Sequence, residues 1–400
     1  MSSVTILGDV HLGKGVSIGK AGVGSNLNSR IVDQLNLLDW TLEQAFESHS
    51  DHIIITGDVF EEAKPHPSLI ALFIGWLKKC QLHNIHVHII MGNHDVIRSG
   101  AINMSSLDII SEMDMDLVTV YKNITTIFIN TSAFTLIPYR DRKYYDTMSN
   151  IEALNTLQES LVYELASIPI TYQKFVVGHL ALEGSIPVGD EIDDITNELF
   201  CPLNMFNGYD CVWMGHVHKP QVMRKSPHIS HIGSMDISNF GETDHKKHII
   251  ILESEKNDDY PAWKNITLPT RLLKSVSLIV PKDVEDSTQY VLDELSKLDE
   301  LTKATVRLDV SLSSPDLKPI VKSDVEKYLM SLGVFNVTSI SQAKKAVVAK
   351  KSTTNVMTTK MDVQTAINAY AQAHVDDAHR ADYIALSLEI LNHYKAEGKE

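Results

Sequence analysis

Residues 86–95, His-Val-His-Ile-Ile-Met-Gly-Asn-His-Asp, decide how the chain folds, because an apolar run ends there in glycine and metal-binding side chains follow at once. The run has the length and the Val and Ile content of a buried strand. A ligand just past a strand, on a glycine that permits a tight turn, lies where open α/β sheets place their sites.

The same pattern occurs at four other places in the chain. Residues 4–8 precede Asp9 and His11, residues 52–57 precede Asp58, residues 174–178 precede His179, and residues 211–215 precede His216 and His218. One glycine followed by aspartate or histidine carries little information, whereas an ordered set of five is very specific. The set predicts that a single sheet edge collects seven ligands, namely Asp9, His11, Asp58, Asn93, His179, His216 and His218. Together they supply enough oxygen and nitrogen for two divalent metal ions.

Asp58 is the candidate for a carboxylate that bridges both ions, because it stands alone after its strand while other motifs offer pairs. We expect one ion to be bound by Asp9, His11 and His218 and the other by Asn93, His179 and His216. This mixture of ligands suits Mn²⁺, Fe²⁺ or Zn²⁺ better than Mg²⁺ alone. Two such ions ~3.5–4 Å apart activate water and neutralise a phosphate. The predicted chemistry is in-line attack of a metal-activated hydroxide on a phosphodiester.

His94 and Asp95 are the candidate catalytic residues. We expect His94 to donate a proton to the leaving alkoxide or to stabilise the phosphorane, and Asp95 to fix its tautomer. Histidines that do not follow a strand and a glycine, among them His86 and His88, lack this context and are interpreted as structural.

The composition is that of a soluble globular protein with two or three domains. The chain has 400 residues, of which 44% are hydrophobic and 22% charged, and no stretch approaches the ~20 apolar residues of a membrane span. Three unpaired cysteines and a start without a signal core predict the cytoplasm, or the host cytoplasm for a phage protein. The net charge of −15 argues against DNA binding by charge alone, but bound divalent metals cancel carboxylates and do not exclude a nuclease.

Apolar spacing predicts an α/β domain over residues 1–270, in which helices connect largely parallel strands. One of these helices is expected at residues 150–166, capped by Asn150. Strands at residues 248–252 and 263–268 are expected to finish a second, mostly antiparallel sheet. The predicted architecture is a four-layer αββα sandwich.

Three further segments follow this domain. Residues 271–340 predict a small α+β unit, and residues 341–361, with five lysines and no acid, predict a flexible basic linker. Residues 362–396 predict two amphipathic helices that are short of internal core. We expect them to bury their apolar faces against another protein, or alternatively to fold back on their own domain.

The five motifs in this order resemble those of the calcineurin-like metallophosphoesterases. Within that superfamily the chain looks like the SbcD-type nuclease subunit of DNA double-strand-break repair and recombination complexes. The residues that carry the closer resemblance are 9–13 (DVHLG), 38–42 (LDWTL), 57–60 (GDVF), 92–95 (GNHD), 137–139 (IPY), 233–234 (GS) and 240–242 (FGE). The match covers residues 1–245.

The resemblance implies a capping domain that contacts DNA, at residues 271–340, and C-terminal helices that bind the coiled coil of an SbcC-like ABC-type ATPase. It also implies a homodimer with Mn²⁺-dependent 3′–5′ exonuclease activity on duplex ends and endonuclease activity on single strands. Some family members carry a histidine three residues after the bridging aspartate, where this chain has Glu61. A carboxylate there would repel DNA phosphate or recruit another cation.

Four basic residues are candidates for phosphate contacts with DNA. Lys14 and Lys20 belong to the glycine-rich segment 13–25, which lacks the spacing of a phosphate loop and is interpreted as a mobile loop beside the site. Arg98 and Lys219 lie close in sequence to predicted ligands.

Two other functions remain open on the sequence alone. One is a phosphatase or phosphodiesterase acting on small or phosphoprotein substrates through the same metals. The other is a non-catalytic module that binds DNA ends.

Overall fold

The computed structural model describes residues 2–22, 26–96, 105–147, 149–187, 197–254, 261–344 and 383–387. The strands are β1 (Ser2–Leu7), β2 (Ser50–Ile55), β3 (His86–Ile90), β4 (Val118–Tyr121), β5 (Thr125–Ile129), β6 (Ser132–Ile137), β7 (Gln173–Gly178), β8 (Cys211–Met214), β9 (Gln221–Lys225), β10 (His228–His231), β11 (His248–Ser254), β12 (Ala262–Thr267), β13 (Leu273–Val280), β14 (Thr305–Leu312) and β15 (Asn336–Lys344). The helices are α1 (Ser29–Glu47), α2 (Pro67–Leu82), α3 (Asp108–Ser111), α4 (Asn150–Ser167), α5 (Ser287–Leu295) and α6 (Lys322–Ser331).

Two six-stranded sheets, each of mixed direction, form the centre of the fold. The first has the order β12-β11-β1-β2-β3-β4 and the second β5-β6-β7-β8-β10-β9. In the first sheet β1 to β4 run parallel, and in the second β6, β7, β8 and β10 run parallel. All five strands that were predicted to precede ligands are present.

Two details of the predicted sheets are wrong. β11 and β12 do not finish the second sheet but extend the first, where β11 pairs antiparallel with β1. The second sheet is mostly parallel rather than antiparallel, since only its edge strands β5 and β9 are antiparallel to their neighbours. A run of apolar residues shows that a strand is buried, but it does not show which free edge the strand joins.

The core lies in three apolar layers, which establish the four-layer αββα sandwich predicted from the sequence. Alternate residues of β2 point to opposite faces: Ile53 and Ile55 belong to the cluster beneath α1 and α2, while Ile54 faces the second sheet. Helix α4 covers the outer face of the second sheet through Leu157 and Leu161.

Local signals fix the starts of the flanking helices. The Asn28 side chain caps α1 by accepting from the amide of Arg30, and Pro67 occupies the first turn of α2, where its missing N–H costs nothing. The cap of α4 is Ser149, which accepts from the amide of Glu152, and not Asn150 as predicted.

A three-stranded unit follows, with the order β13-β14-β15 and all strands parallel. Its core, which includes Val306 and Leu308, is separate from the cores of the sandwich. Because β15 runs on to Lys344, the linker predicted from residue 341 does not start there.

Residues 1–345 form one compact unit and residues 346–400 a second. Of the second unit the structure describes residues 383–387, which are helical; the rest of the predicted linker and of the segment 362–396 lies outside the described residues. Within the described part of the chain, no helix combines the length and apolarity needed to span a bilayer.

Candidate metal centre

The ligand-bearing turns of both sheets meet at one end of the sandwich. Asp9, Asp58 and Asn93 follow strands of the first sheet, and the ligand histidines 179, 216 and 218 follow strands of the second. The prediction of one sheet edge is therefore wrong, although the predicted convergence is present. The site lies between two sheets because the parallel strands of both present their carboxyl ends on the same side.

Three of the seven predicted ligands have a left-handed backbone. The φ angles are 47° at His11, 46° at Asp58 and 77° at His216. Residues with a Cβ adopt this conformation at a cost of roughly 1–2 kcal/mol each, so tertiary contacts must maintain it. One such contact is visible at Asp58, whose carbonyl accepts the amides of Val10 and His11 at 3.2 and 2.8 Å.

Two of the glycines before the ligands are needed because ligand atoms approach them closely. A Cβ at Gly92 would lie 2.1 Å from Asp58 Oδ1, and a Cβ at Gly215 would lie 2.1 Å from Asp9 Oδ1. Neither glycine is among those with a positive φ, so the tight-turn explanation fails here. The absent side chain leaves room for a carboxylate of another turn.

The first ligand group contains Asp9, His11 and His218, together with Asp58. His11 Nε2 lies 2.8 Å from His218 Nε2 and 3.5 Å from Asp58 Oδ2. Ligand atoms of Asp9, His11 and His218 all lie within 4.8 Å of one another. Burial lowers the pKa of both histidines, so both imidazoles are neutral at pH 7 and present lone pairs to a cation.

The second group contains Asn93, His179 and His216, again with Asp58. Asn93 Oδ1 lies 2.9 Å from both His179 Nε2 and His216 Nδ1. His179 Nε2 lies 3.2 Å from Asp58 Oδ2, so the Asp58 carboxylate faces both groups. A carboxylate shared by two ions would need such a position.

The charge balance of the site favours cations. Asp9 and Asp58 are fully buried, and burial alone would raise their pKa values, but the nearby imidazole of His179 lowers both. The pKa of His179 is raised well above its ordinary value, because Asp58 and Asp9 outweigh its burial. Two buried carboxylates, four imidazoles and one amide, in a site whose carboxylates attract positive charge, fit two divalent metal ions.

His94 lies beside the first ligand group, with its ring centroid 5.0 Å from that of His11 and its amide bonded to Asp58 Oδ1 at 2.8 Å. Its Nδ1 lies 2.8 Å from the carbonyl oxygen of Glu61, which can only accept. Nδ1 therefore carries a proton and Nε2 faces away from this contact.

Asp95 has a different role from the predicted one. Its carboxylate is fully buried and accepts the amides of Val59 at 3.1 Å and Gly92 at 2.9 Å. Burial, reinforced by the charge of Asp58, raises the pKa of Asp95 to about 7. Asp95 thus ties the turn after β2 to the turn after β3, while the tautomer of His94 is set by the Glu61 carbonyl.

Several residues that support the ligands were missed by sequence reasoning. Thr56 Oγ1 donates to Asp9 Oδ1 at 2.7 Å, and the buried Glu198 lies 3.4 Å from His216 Nε2 while accepting from Tyr139 at 3.0 Å. The buried amine of Lys247 donates to the His218 carbonyl at 2.8 Å. Glu198 and Lys247 belong to no motif, and they contact the ligands only through the tertiary fold.

The candidate DNA contacts are dispersed. Lys14 Nζ lies 3.1 Å from the Glu61 carboxylate, beside His11, whereas Lys20 Nζ lies over the ring of Phe335, 5.0 Å from its centroid. Lys219 is half-buried next to His218, and Arg98 lies outside the described residues.

The comparisons with known proteins agree with this geometry. The family model of the calcineurin-like phosphoesterases matches residues 2–220. The chain belongs to this family. The matched range contains all seven candidate ligands and both sheets up to β8.

Curated relatives bear out the closer resemblance. The SbcD component of the nuclease SbcCD from Escherichia coli K12 is 25% identical over 273 residues, which cover 62% of this chain and 66% of that protein. The SbcD component from Staphylococcus saprophyticus is 25% identical over 67% of this chain and 71% of its own length. The DNA double-strand break repair protein Mre11 of Methanopyrus kandleri is 24% identical over 53% of this chain and 43% of its own length.

The chain thus spans about two thirds of the Escherichia coli relative. Among solved structures, a dimetal phosphatase from Danio rerio aligns with a TM-score of 0.41 and 11% identity, over 66% of this chain and 98% of that one.

Proposed function

We propose that this chain is the nuclease subunit of an SbcCD-like complex for DNA double-strand-break repair and recombination. Its activity would be Mn²⁺-dependent 3′–5′ exonuclease action on duplex DNA and endonuclease action on single strands. The observation that carries the proposal is the Asp58 carboxylate, which faces two ligand groups at the meeting point of five strands. Similarity to SbcD and Mre11 proteins supports DNA as the proposed substrate.

Bound in these two groups, divalent ions would supply Lewis-acid stabilisation of a phosphodiester and an activated water. The chain's own residues orient that chemistry. His94 donates Nδ1–H to the Glu61 carbonyl, and its Nε2 would be the atom that supplies a proton to the leaving alkoxide. The Asp58 carbonyl accepts the His11 amide, and the Asp95 carboxylate accepts the Val59 amide. These hydrogen bonds fix the distance between the candidate ligands before substrate binds.

The proposed capping role of the three-stranded unit is supported by its contacts with the sandwich. Arg271 forms a bidentate pair with Asp33 of α1, at 2.7 and 2.5 Å, and its guanidinium lies 3.8 Å over the Phe335 ring. Asn336 Nδ2 donates to the carbonyl of Ile18 at 2.9 Å. The unit therefore packs against the glycine-rich segment that follows His11 and contains Lys14, which supports its proposed role in DNA contact.

The proposed partner is an SbcC-like ABC-type coiled-coil ATPase bound by residues 362–396, and the proposed assembly is a homodimer in the cytoplasm, or in the host cytoplasm for a phage protein. The three cysteines are free and buried, as expected in a reducing compartment.

The test is a gel assay of the full chain with Mn²⁺ or Mg²⁺ on linear duplex and circular single-stranded DNA, with a nucleotide phosphodiester in parallel. Asp58→Asn and Asn93→Ala should abolish cutting and leave DNA binding intact. The exposed control Asp116→Asn should cut DNA as wild type does. His94→Gln should keep bound Mn²⁺ and lower kcat by about 10²–10⁴-fold. Rapid nucleotide hydrolysis without DNA cutting would instead support a small-substrate phosphodiesterase.

The partner is tested by deleting residues 361–400. The truncated chain should still bind Mn²⁺ and cut DNA weakly, but it should no longer co-purify with the ATPase. Retained ATPase binding would contradict the role proposed for this segment, and light scattering of the free chain tests the dimer.

A further inference from the structure

A second cluster of imidazoles lies at the opposite end of the strands that carry the metal centre. His52 is near the start of β2, and His86 and His88 are on β3. Since strands rise about 3.3 Å per residue, His52 lies roughly 10 Å before Ile55, the end of β2 from which the turn to Asp58 departs. The cluster is therefore a site of its own.

The strand register brings the three rings together. His52 pairs with His86 across the parallel β2–β3 ladder, and His88, two residues further on, points to the same face. Ring centroids are 4.1 Å apart for His86 and His88 and 5.2 Å apart for His52 and His88. His52 Nδ1 lies 2.9 Å from His88 Nε2, and one nitrogen of each ring lies within 4.8 Å of the others.

Hydroxyl groups of β4 orient two of these rings from the other side. His86 Nε2 lies 2.9 Å from Thr119 Oγ1, and His88 Nδ1 lies 2.9 Å from Tyr121 Oη. A hydroxyl can accept the N–H of each ring, which leaves a lone pair on Nδ1 of His86 and on Nε2 of His88, and the latter faces His52. Histidines that bind metals are typically oriented in this way through their second nitrogen.

The surroundings allow a metal ion to enter. His88 is buried, whereas His52 and His86 are half-buried, so the cluster opens to solvent on one side. Burial, together with the neighbouring rings, lowers the pKa of His52 and His88, so the rings are neutral at pH 7, as metal ligands must be.

We propose that His52, His86 and His88 form a binding site for one divalent transition-metal ion of the zinc class, separate from the phosphoesterase centre. Three imidazoles favour Zn²⁺, Ni²⁺ or Cu²⁺ over Mg²⁺ or Ca²⁺, and three protein ligands leave a fourth position open. The ion would join β2 to β3 at the end of the sheet remote from the nuclease ligands.

The test counts zinc in the metal-stripped full chain after equilibration with Zn²⁺ and removal of excess. His52→Gln and His86→Gln should each retain one ion fewer than wild type, and the exposed control His83→Gln should match wild type. Zinc should also raise the Tm of an Asp9→Asn/Asp58→Asn variant more than that of the same variant with His52→Gln added.

The double aspartate background separates this site from the proposed nuclease centre. A one-ion difference between this background and its His52→Gln derivative supports the site even if the chain cuts no DNA. Equal zinc content in wild type, His52→Gln and His86→Gln would overturn the proposal and leave the cluster as a hydrogen-bonded imidazole network.

Discussion

The Glu61 carboxylate lies 2.8 Å from Nδ1 of His11, on the side of the ring opposite the metal centre. This contact is the carboxylate–histidine arrangement that orients metal-binding imidazoles. It lowers the pKa of Glu61 against the effect of partial burial. The acidic residue that the sequence presented as a departure from the family pattern is thus a support of a ligand.

Glu61→Gln should therefore weaken Mn²⁺ binding by about 10–100-fold while leaving kcat at saturating Mn²⁺ close to wild type. The backbone carbonyl that orients His94 is untouched by the substitution. Titration monitored by the electron paramagnetic resonance of free Mn²⁺ measures the affinity. The adjacent, exposed Glu62→Gln is the matched control, and equal affinities for the two variants would contradict the role of Glu61.

Gly92→Ala should displace the shared ligand, since its Cβ would stand 2.1 Å from Asp58 Oδ1 and 2.4 Å from the Asp58 amide. A ligand shift of about 1 Å costs on the order of 10²-fold in rate, so DNA cutting should fall at least that far. Gly75→Ala, in α2 with no atom within 4 Å of the new Cβ, should keep activity and add about 0.5–1 kcal/mol of stability. Activity of Gly92→Ala at the Gly75→Ala level would show that the turn tolerates a side chain.

Lys247 and Glu242 form a fully buried ion pair of 2.7 Å, and the same amine donates to Ser234 Oγ at 2.8 Å. Lys247→Met should cost about 3–5 kcal/mol of unfolding free energy, because it leaves a buried carboxylate without its cation. Lys247→Met/Glu242→Leu should lose less. Urea denaturation in chelator measures both.

The control for this pair is Lys264→Met, which removes an exposed partner of Glu253 and should cost about 0–1 kcal/mol. A Lys247→Met loss no larger than that of the control would mean that the buried pair contributes nothing to stability.

His231 is buried, and burial lowers its pKa to about 4, while the unfolded value is about 6.5. Between these values the unfolded chain binds a proton that the folded chain does not, so stability falls as pH falls. At about 1.4 kcal/mol per pH unit, acidification from pH 7.5 to 5.5 should cost wild type roughly 1 kcal/mol more than His231→Asn.

The side-chain amide that His231→Asn introduces can still donate to the Gly215 carbonyl, which His231 Nδ1 contacts at 3.0 Å. The difference between the two proteins therefore isolates the titration. Parallel pH profiles in chelator would mean that His231 accepts its proton without loss of the fold.

The candidate ligands could be identified from the sequence because their signal is local: Asp58 and His179 each follow a strand and a glycine directly. Their supports could not, since Glu198 reaches His216 and Lys247 reaches the His218 carbonyl only through the tertiary fold. The edge joined by β11 was missed for the same reason. An apolar run in the sequence indicates that a strand is buried, whereas the neighbouring strand with which it pairs depends on how the whole chain folds.

The first turns of α1 serve three neighbours at once. Arg30 binds Asp236 at 2.5 Å, Asp33 binds Arg271 of the three-stranded unit, and Gln34 accepts the amide of Gly13 at 2.9 Å while donating to the His11 carbonyl at 3.2 Å. A force on the three-stranded unit would be transmitted to the His11 backbone through Asp33 and Gln34, which are consecutive residues of helix α1. A force applied outside the sandwich would thus be transmitted over a short distance to the candidate metal centre.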